Sequence, residues 1–275
     1  MVKIHDDKPY NMIDFLQVTV MIAAYNRLEM LKDAVYSALT QEFNSFEVLV
    51  VDDGSDEETM RWLDKEANIW ERLRIIHQEN SGVAIARQNG LVEARGEFVC
   101  ILDSDDRLVP YALSNVMSVF AENPETDLVY CNNRQWMGGE RIRTIKYPRF
   151  DDNQAMIRST FLRPVVPFKH SGTTFRRDVA LALGGYDTNL PLKVDIDLFL
   201  KFLGNSKHLA LVDDSLVEFR MHKNSISAQR LLGIKVWWRL IDCYGPKDRI
   251  IRLFYKAART FAELLKLAYV QLRIN

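Results

Sequence analysis

Cysteine is scarce in this 275-residue chain, and long apolar runs are missing. The three cysteines (Cys100, Cys131 and Cys243) lie far apart and form no C-x-x-C pair. Two of them lie in apolar, strand-like runs and are most simply small core residues in a reducing compartment. No run reaches the roughly 18 apolar residues of a membrane-spanning helix. Residues 1–16 are polar and lack the apolar core of a signal peptide. We therefore expect a cytoplasmic protein.

Glycine-rich nucleotide loops are also missing. A nicotinamide-dependent enzyme needs G-x-G-x-x-G after its first strand, whereas the turn expected there reads Ala24-Tyr25-Asn26-Arg27. The G-x-x-x-x-G-K-[ST] loop of P-loop nucleotidases is absent from the sequence as well. The sequence thus argues against both of these nucleotide-binding classes.

The overall composition is that of a globular protein, with 48% hydrophobic and 27% charged residues. The net charge is −1, but it is unevenly distributed. Residues 231–275 contain nine Lys or Arg and three Asp or Glu, a balance of +6, which leaves −7 on the preceding 230 residues. Nothing in the net charge points to nucleic acid.

Apolar runs alternate with helical periodicity through the first 100 residues. Strands are predicted at 18–24, 46–51, 73–77 and 98–102, with helices between them. Short links between strand and helix indicate parallel βαβ units. Beyond Pro110 we expect a helix at 113–120, a strand at 128–131, a hairpin turn at Gly138-Gly139, an irregular basic segment at 141–150 and a helix at 154–162.

The fourth predicted strand runs directly into Asp103, Asp105 and Asp106. Crowded carboxylates repel one another and raise each other's pKa unless a cation offsets them. A hard divalent metal that also binds phosphate oxygens is one remedy. A solvated acidic loop is the alternative on this feature alone.

Polar segments follow three of the predicted parallel strands, at 25–27, 52–56 and 103–106. Ligands of open α/β sheets bind outside the carboxyl ends of the strands. We therefore expect the three segments to meet in one crevice, which favours a ligand site.

Taken together, the chain resembles family 2 inverting glycosyltransferases over residues 18–227. The resemblance depends on ordered motifs: Ala23-Ala24-Tyr25-Asn26-Arg27, Val51-Asp52-Asp53-Gly54-Ser55, Asn80-Ser81-Gly82, Arg87-Gln88-Asn89-Gly90, Leu102-Asp103-Ser104-Asp105-Asp106 and Phe219-Arg220-Met221-His222. It implies a GT-A fold, an α/β architecture with a mixed, mostly parallel sheet flanked by helices. It also implies transfer of a sugar from a nucleotide donor, UDP being the commonest, to a hydroxyl with Mn²⁺ or Mg²⁺.

The resemblance implies a nucleotide site along the first half of the chain. Tyr25 would form a floor for the base, Asp53 or Asp52 would accept the imide N–H, and Arg87 would lie near the phosphates. Asp52 is alternatively a helix cap, and Arg87 an ordinary ion pair. The full set of expected nucleotide-binding residues is Ala23, Tyr25, Asn26, Arg27, Asp52, Asp53, Gly82, Arg87, Asp103 and Ser104.

The expected metal ligands are Asp105 and the late histidine His222, which is alternatively structural. Asp103 would contact the ribose or a metal-bound water, and Asp106 would begin the next turn. A metal at this point neutralises the charge that develops on the leaving diphosphate.

Inversion needs one carboxylate base across the donor from the metal. The family places it in a Glu-Asp pair, which here reads Val194-Asp195, so Asp195 is the candidate base. A helix N-cap is its alternative role, and Asp197 is expected to cap or to pair with Lys201. Gly172, beside Thr173, matches a glycine whose bare backbone would let donor or acceptor approach.

The expected organisation is a leader (1–16), a nucleotide-sugar-binding half (17–107), an acceptor and catalytic half (108–230) and a basic helical tail (231–275). One apolar stripe follows the break at Gly245-Pro246, formed by Ile250, Phe254, Ala257, Phe261, Leu264, Leu265, Ala268 and Leu272. Such a helix suits the inner face of an anionic membrane or packs on protein, including a second copy of the chain. The expected acceptor is a glycan or a lipid-linked glycan. The alternative function is a non-catalytic nucleotide-sugar-binding subunit of a polysaccharide assembly complex.

Overall fold

The computed structural model describes residues 3–4, 16–137, 140–221 and 230–274. Its strands are β1 (Lys3–Ile4), β2 (Val18–Ala24), β3 (Phe46–Asp52), β4 (Leu73–His77), β5 (Phe98–Ile101), β6 (Arg107–Leu108), β7 (Leu128–Met137), β8 (Glu140–Ile145), β9 (Thr174–Arg176) and β10 (Leu209–Arg220). Its helices are α1 (Leu28–Leu39), α2 (Glu57–Ile69), α3 (Val83–Glu93), α4 (Ala112–Glu122), α5 (Asn153–Leu162), α6 (Arg177–Ala182), α7 (Val194–Gly204), α8 (Arg230–Tyr244) and α9 (Arg249–Ile274).

All of these strands join one sheet in the order β1-β4-β3-β2-β5-β9-β7-β10-β6, and β8 also pairs with β7. The block β4-β3-β2-β5 is parallel throughout. β9 is antiparallel to both of its neighbours, β5 and β7, whereas β7 and β10 are parallel. The carboxyl ends of β2, β3 and β5 therefore share one edge of the sheet.

Helices cover both faces of the sheet. Along β2, Val20 and Ile22 point into the core beneath α1 and α4, whereas Met21 points into the core beneath α3, α5 and α7. Because successive side chains of a strand alternate between faces, a strand covered on both sides needs apolar residues throughout. That requirement explains the apolar runs at 20–24 in β2 and 48–51 in β3.

The sequence prediction was incomplete in the second half of the chain. Segment 141–150 was expected to be irregular, but its first half forms β8, which pairs antiparallel with an extended β7. The strands β6, β9 and β10 were not predicted, and β1 lies within the expected polar leader. Strands β1, β6 and β9 are only two or three residues long, and β10 mixes polar and apolar residues. No local sequence pattern therefore predicts them. The turn expected at Gly138-Gly139 lies outside the described residues.

Helices α8 and α9 form a hairpin, and the break between them includes Gly245-Pro246, as expected. Helix α8 buries Val236, Trp237, Leu240 and Ile241 in the core that α5 and α7 share. Among the described residues, every helix is too short or too polar to cross a membrane.

Candidate active site

The loops that follow β2, β3 and β5 touch one another. The amide of Asp53 donates to the carbonyl of Ala24 at 2.8 Å, which joins the ends of the two strands. The amide of Asn26 donates to Ser55 Oγ at 2.8 Å. Arg27 Nη1 pairs with Asp105 Oδ2 at 3.2 Å and connects the first loop to the third. The three polar segments thus form one continuous cleft wall.

The first loop turns through two left-handed residues, Asn26 (φ 55°) and Arg27 (φ 59°). Asparagine tolerates this conformation, and its Oδ1 accepts from the amide of Asp56 at 2.8 Å. Arginine is costly there, on the order of 1–2 kcal/mol. The turn directs Arg27 across the cleft to Asp105, while the Tyr25 side chain stays half exposed at the rim.

The two carboxylates after β3 are both buried and both engaged. Asp52 accepts from His77 Nδ1 at 2.8 Å and from the amide of Ser55 at 3.1 Å. This hydrogen bond to Asp52 is the main cause of the raised pKa of His77. Asp52 does not cap α2, because the N-cap is Asp56, whose side chain accepts from the amide of Thr59 at 2.9 Å. The Asp52 carboxylate is 0% exposed.

Asp53 orders the segment that leads into α3. Its Oδ1 accepts from Gln78 Nε2 at 2.7 Å and from the amide of Ser81 at 2.8 Å, and its Oδ2 accepts from the amide of Gly82 at 2.8 Å. Gly82 itself has a φ of 90° and open space where a Cβ would lie. The arrangement fixes the start of α3, the helix that carries Arg87.

Asp103 is at the centre of the charged cluster. Its Oδ1 pairs with Arg87 Nη2 at 2.7 Å and lies 3.4 Å from His170 Nδ1. Burial disfavours the ionised carboxylate, yet Arg87 and the hydrogen bond from His170 hold the pKa of Asp103 far below its usual value. The carboxylate therefore stays ionised. Ser171 Oγ accepts from the amide of Asp103 at 3.3 Å, and Ser104 follows in the same loop.

His170 belongs to this cluster and was not predicted. Its Nε2 lies 2.9 Å from the hydroxyl of Tyr186. Burial and the nearby Arg87 lower the pKa of His170, so the imidazole is neutral near pH 7. A neutral ring bonded on both sides donates from Nδ1 to Asp103 and accepts at Nε2 from Tyr186. A lone histidine in the sequence has no periodicity or motif that would reveal this role.

Asp106 is fully buried, and it does more than begin a turn. Its Oδ1 accepts from the amide of Arg220 at 3.0 Å, and its Oδ2 has no hydrogen-bond partner among the described residues. Burial, together with Asp103 and Asp105, raises its pKa well above the usual value. The bond to Arg220 brings the end of β10 to the acidic loop. His222, two residues further on, lies outside the described residues.

Asp195 is the second residue of α7 and reaches the same cluster. Its negative charge acts on the pKa of Arg87, of His170 and of Tyr186. The N-cap of α7 is Lys193, which has a φ of 62° and makes no side-chain cap, so Asp195 is not the cap. Within the described part of the chain, its carboxylate makes no hydrogen bond or ion pair. Asp197, by contrast, pairs with Lys201 at 3.2 Å, as expected.

The core leaves no room for a side chain at Gly172. This glycine has a φ of 83°, and a Cβ added to it would lie 2.2 Å from Val217 Cγ2 and 2.9 Å from Cys131 Sγ. The space that the missing side chain leaves is therefore filled by the core and does not face a ligand. Thr173 is buried beside it, and its carbonyl accepts from the amide of Ile101 at 2.8 Å. Both residues hold β5 at its carboxyl end.

The described residues contain no preformed cluster of three or more His, Cys, Asp or Glu side chains that would hold a metal. A metal bound together with a nucleotide diphosphate does not need one, because phosphate oxygens and water complete the coordination of one or two carboxylates. The acidic loop supplies a carboxylate of that kind in Asp105, whose side chain is partly exposed.

Comparison with known proteins gives consistent matches. A family profile described as "Glycosyl transferase family 2" matches residues 19–183. The uncharacterized glycosyltransferase YibD of Escherichia coli (strain K12) is 24% identical over 262 residues, which are 90% of this chain and 72% of YibD. Hyaluronan synthase of Pasteurella multocida is 28% identical over 221 residues, which are 78% of this chain and 21% of the synthase. The chain thus spans about a fifth of that synthase.

Solved structures share the fold. S. aureus TarS 1-349 in complex with UDP-GlcNAc superposes with a TM-score of 0.68 at 17% identity, covering 90% of this chain and 72% of TarS 1-349. The mannosyltransferase PcManGT of Pyrobaculum calidifontis, in complex with GDP-Man and Mn²⁺, has a TM-score of 0.63 at 20% identity, covering 93% and 73% of the two chains. The predicted GT-A architecture is confirmed.

Proposed function

Because the chain belongs to glycosyl transferase family 2, we propose that it moves a sugar from a UDP-sugar to a hydroxyl of a glycan or of a lipid-linked glycan during surface polysaccharide synthesis. The observation that carries the proposal is the single cleft in which Asp103, Asp105 and Asp195 surround the cations Arg27 and Arg87. The UDP and UDP-GlcNAc complexes of TarS support the nucleotide. The relatives named hyaluronan synthase and chondroitin synthase support the acceptor class.

We assign donor binding to the half formed by residues 17–107. The half-exposed ring of Tyr25 would stack on the base, and the backbone of Ala23 and Asn26 would form the adjoining wall. Asp53 acts through the segment that it orders before α3. Arg87 is held at the diphosphate position by Asp103, with Ser104 beside it. Residues 108–230 form the acceptor and catalytic half.

We assign the metal ligand role to Asp105, and to His222 after the end of β10. Asp105 is partly exposed and is paired with Arg27 of the first loop, so its carboxylate lies on the side that we assign to the donor. Mn²⁺ or Mg²⁺ would supply charge neutralisation at the leaving diphosphate. Arg27 and Arg87 bring positive charge to the same region from the protein itself.

We assign the base role to Asp195. Inversion is a single displacement, so the acceptor hydroxyl must lose its proton to a carboxylate that is not otherwise committed. Asp195 satisfies that condition, because its charge acts on Arg87 and His170 while its carboxylate makes no hydrogen bond among the described residues. Val194, where the family pair has Glu, is 2% exposed and packs in the core. The start of α7 therefore contributes a single carboxylate, that of Asp195, to the cleft.

The test is Asp195→Asn. This variant should retain affinity for Mn²⁺·UDP and lose transfer by about 10²- to 10⁴-fold, because the base is removed and the donor site is not. The readout is release of UDP from a panel of UDP-sugars, with and without acceptor, in Mn²⁺ or Mg²⁺.

The matched control is Asp178→Asn, since Asp178 is also the second residue of a helix, α6, and is exposed. The control should behave as wild type. Near-normal transfer by Asp195→Asn would remove Asp195 as the base. A wild-type chain that binds UDP-sugars but never releases UDP would instead support the non-catalytic subunit.

A further inference from the structure

Helix α9 turns its apolar face away from the protein. The residues on this face are between 47% and 81% exposed, and they recur at spacings of three and four: Ile250, Leu253, Phe254, Phe261, Leu264 and Leu265. Residues so spaced lie on one side of a helix. We call this surface the apolar face of α9.

The opposite side of α9 is the side that contacts the rest of the chain. There, Tyr255, Arg259 and Glu263 are buried. Arg259 donates to the carbonyl of Arg163 at 2.5 Å, lies 3.7 Å over the ring of Trp237, and pairs with Glu263 at 2.9 Å. A surface helix ordinarily buries its apolar stripe. Here specific polar contacts hold the helix in the reverse orientation, so the apolar face is presented outward by the fold.

One edge of the apolar face has the residues found where a protein meets a lipid headgroup layer. The half-exposed Trp238 donates its indole N–H to Thr260 Oγ1 at 3.0 Å. Lys256 Nζ lies 5.6 Å over the same ring and also pairs with Asp242 at 2.7 Å. A tryptophan ring with a hydrogen-bonded N–H and long basic side chains beside it are typical of a boundary between lipid and water.

Charge decides between the possible occupants of the face. Residues 231–275 have a balance of +6, and the exposed basic side chains of the hairpin include Lys235, Arg239, Lys247 and Arg249. A second copy of the chain would bring two such segments together, and like charges repel. An anionic lipid surface is complementary, since each basic residue near it contributes about 1 kcal/mol.

We infer that an anionic lipid bilayer is the partner of this face, with α9 lying in the headgroup layer parallel to the membrane. A basic helix with one apolar face lies in the plane of the headgroup layer. This inference is independent of the transfer chemistry. It places the catalytic half beside a membrane surface.

The experiment is co-sedimentation of the full chain with vesicles of phosphatidylcholine alone or of equal parts phosphatidylcholine and phosphatidylglycerol. We expect binding to the mixed vesicles that falls as salt is raised. The double variant Phe254→Glu and Phe261→Glu should bind at least about tenfold more weakly, because two aromatic side chains no longer enter the headgroup layer.

The matched control is the double variant Ile69→Glu and Val165→Glu, at residues that are equally exposed but lie outside α9. It should bind as wild type does, and all three proteins should show the same thermal unfolding. Equal vesicle binding by wild type and the α9 variant would overturn the inference. A wild-type dimer in light scattering without lipid, made monomeric by the α9 variant, would overturn it in favour of a second copy.

Discussion

Three neighbouring aspartates of one loop have three different environments. Asp103 is buried but ionised, because Arg87 and His170 bind it. Asp105 is partly exposed and pairs with Arg27. Asp106 is fully buried, and its pKa is raised by burial and by the other two carboxylates. Their contacts therefore differ: Asp103 pairs with Arg87, Asp105 forms a partly exposed ion pair with Arg27, and Asp106 joins the loop to β10.

Asp105→Ala is expected to lower the affinity for UDP by more than about tenfold in the presence of Mn²⁺, because the accessible carboxylate of the loop is lost. Without metal, its affinity should change little. Isothermal titration calorimetry with and without Mn²⁺ measures both values. Asp213→Ala, at an exposed aspartate on β10, is the control. Unchanged Mn²⁺·UDP affinity in Asp105→Ala would contradict the metal assignment.

Gly172→Ala is expected to destabilise the fold by about 2–4 kcal/mol, since the new Cβ would overlap Val217 and the φ is positive. Gly82→Ala is the comparison, because Gly82 has a similar positive φ but open space around it. Its cost should be about 1 kcal/mol. Urea unfolding measures both. Equal losses in the two variants would show that backbone strain alone explains Gly172.

At the scale of elements, His77 holds β3, β4 and α2 together. It lies at the end of β4, with Nδ1 on Asp52 of β3 at 2.8 Å and Nε2 on Asp64 of α2 at 3.0 Å. Both carboxylates favour the imidazolium, and they raise the pKa of His77 against the effect of burial. The wall of the cleft behind Asp53 thus depends on a titrating contact.

His77→Gln is expected to lower the free energy of unfolding, relative to wild type, by more in mild acid than in mild base. The pKa of His77 is higher in the folded than in the unfolded chain, so its contribution is complete below the unfolded value and disappears as pH rises through the folded value. Urea unfolding at about pH 5.5 and about pH 8.5 compares wild type with the variant. The exposed His208→Gln is the control. A difference that grows with pH would contradict the assignment.

The elements that local sequence predicts are those whose burial is uniform. Strands β2 to β5 are covered on both faces, so their residues are mostly apolar and their bounds are close to the predicted ones. β10 is mostly half-buried, and β9 is three residues long between β5 and β7. Such strands exist because distant segments offer them hydrogen-bonding edges, which no local pattern records.

At the scale of the whole molecule, the C-terminal hairpin is attached next to the candidate base. Lys193, the N-cap of α7, lies 5.0 Å over the ring of Trp237 in α8. Trp237 also lies beneath Arg259 of α9, which is paired with Glu263. The two tail helices therefore contact the turn that presents Asp195.

Glu263→Ala is expected to lower the free energy of unfolding by about 3 kcal/mol, because Arg259 is 3% exposed and would lose its buried counter-charge. The control is Glu57→Ala, whose pair with Arg61 is exposed and is worth less than about 1 kcal/mol. Chemical denaturation measures both. If Glu263→Ala cost no more than the control, the hairpin would not be anchored by this pair.

The sequence alone determined the parallel βαβ half, the polar segments at its strand ends and the family resemblance. All three depend on residues that are close together in the chain. Only the tertiary structure decided that Asp52 accepts a hydrogen bond from His77, that His170 contacts Asp103, and that α9 turns its apolar face outward. Amphipathic periodicity predicts that a helix has an apolar and a polar face. It does not predict which face packs against the rest of the protein. That choice depends on contacts between residues far apart in the chain, such as Arg259 with Arg163 and Trp237.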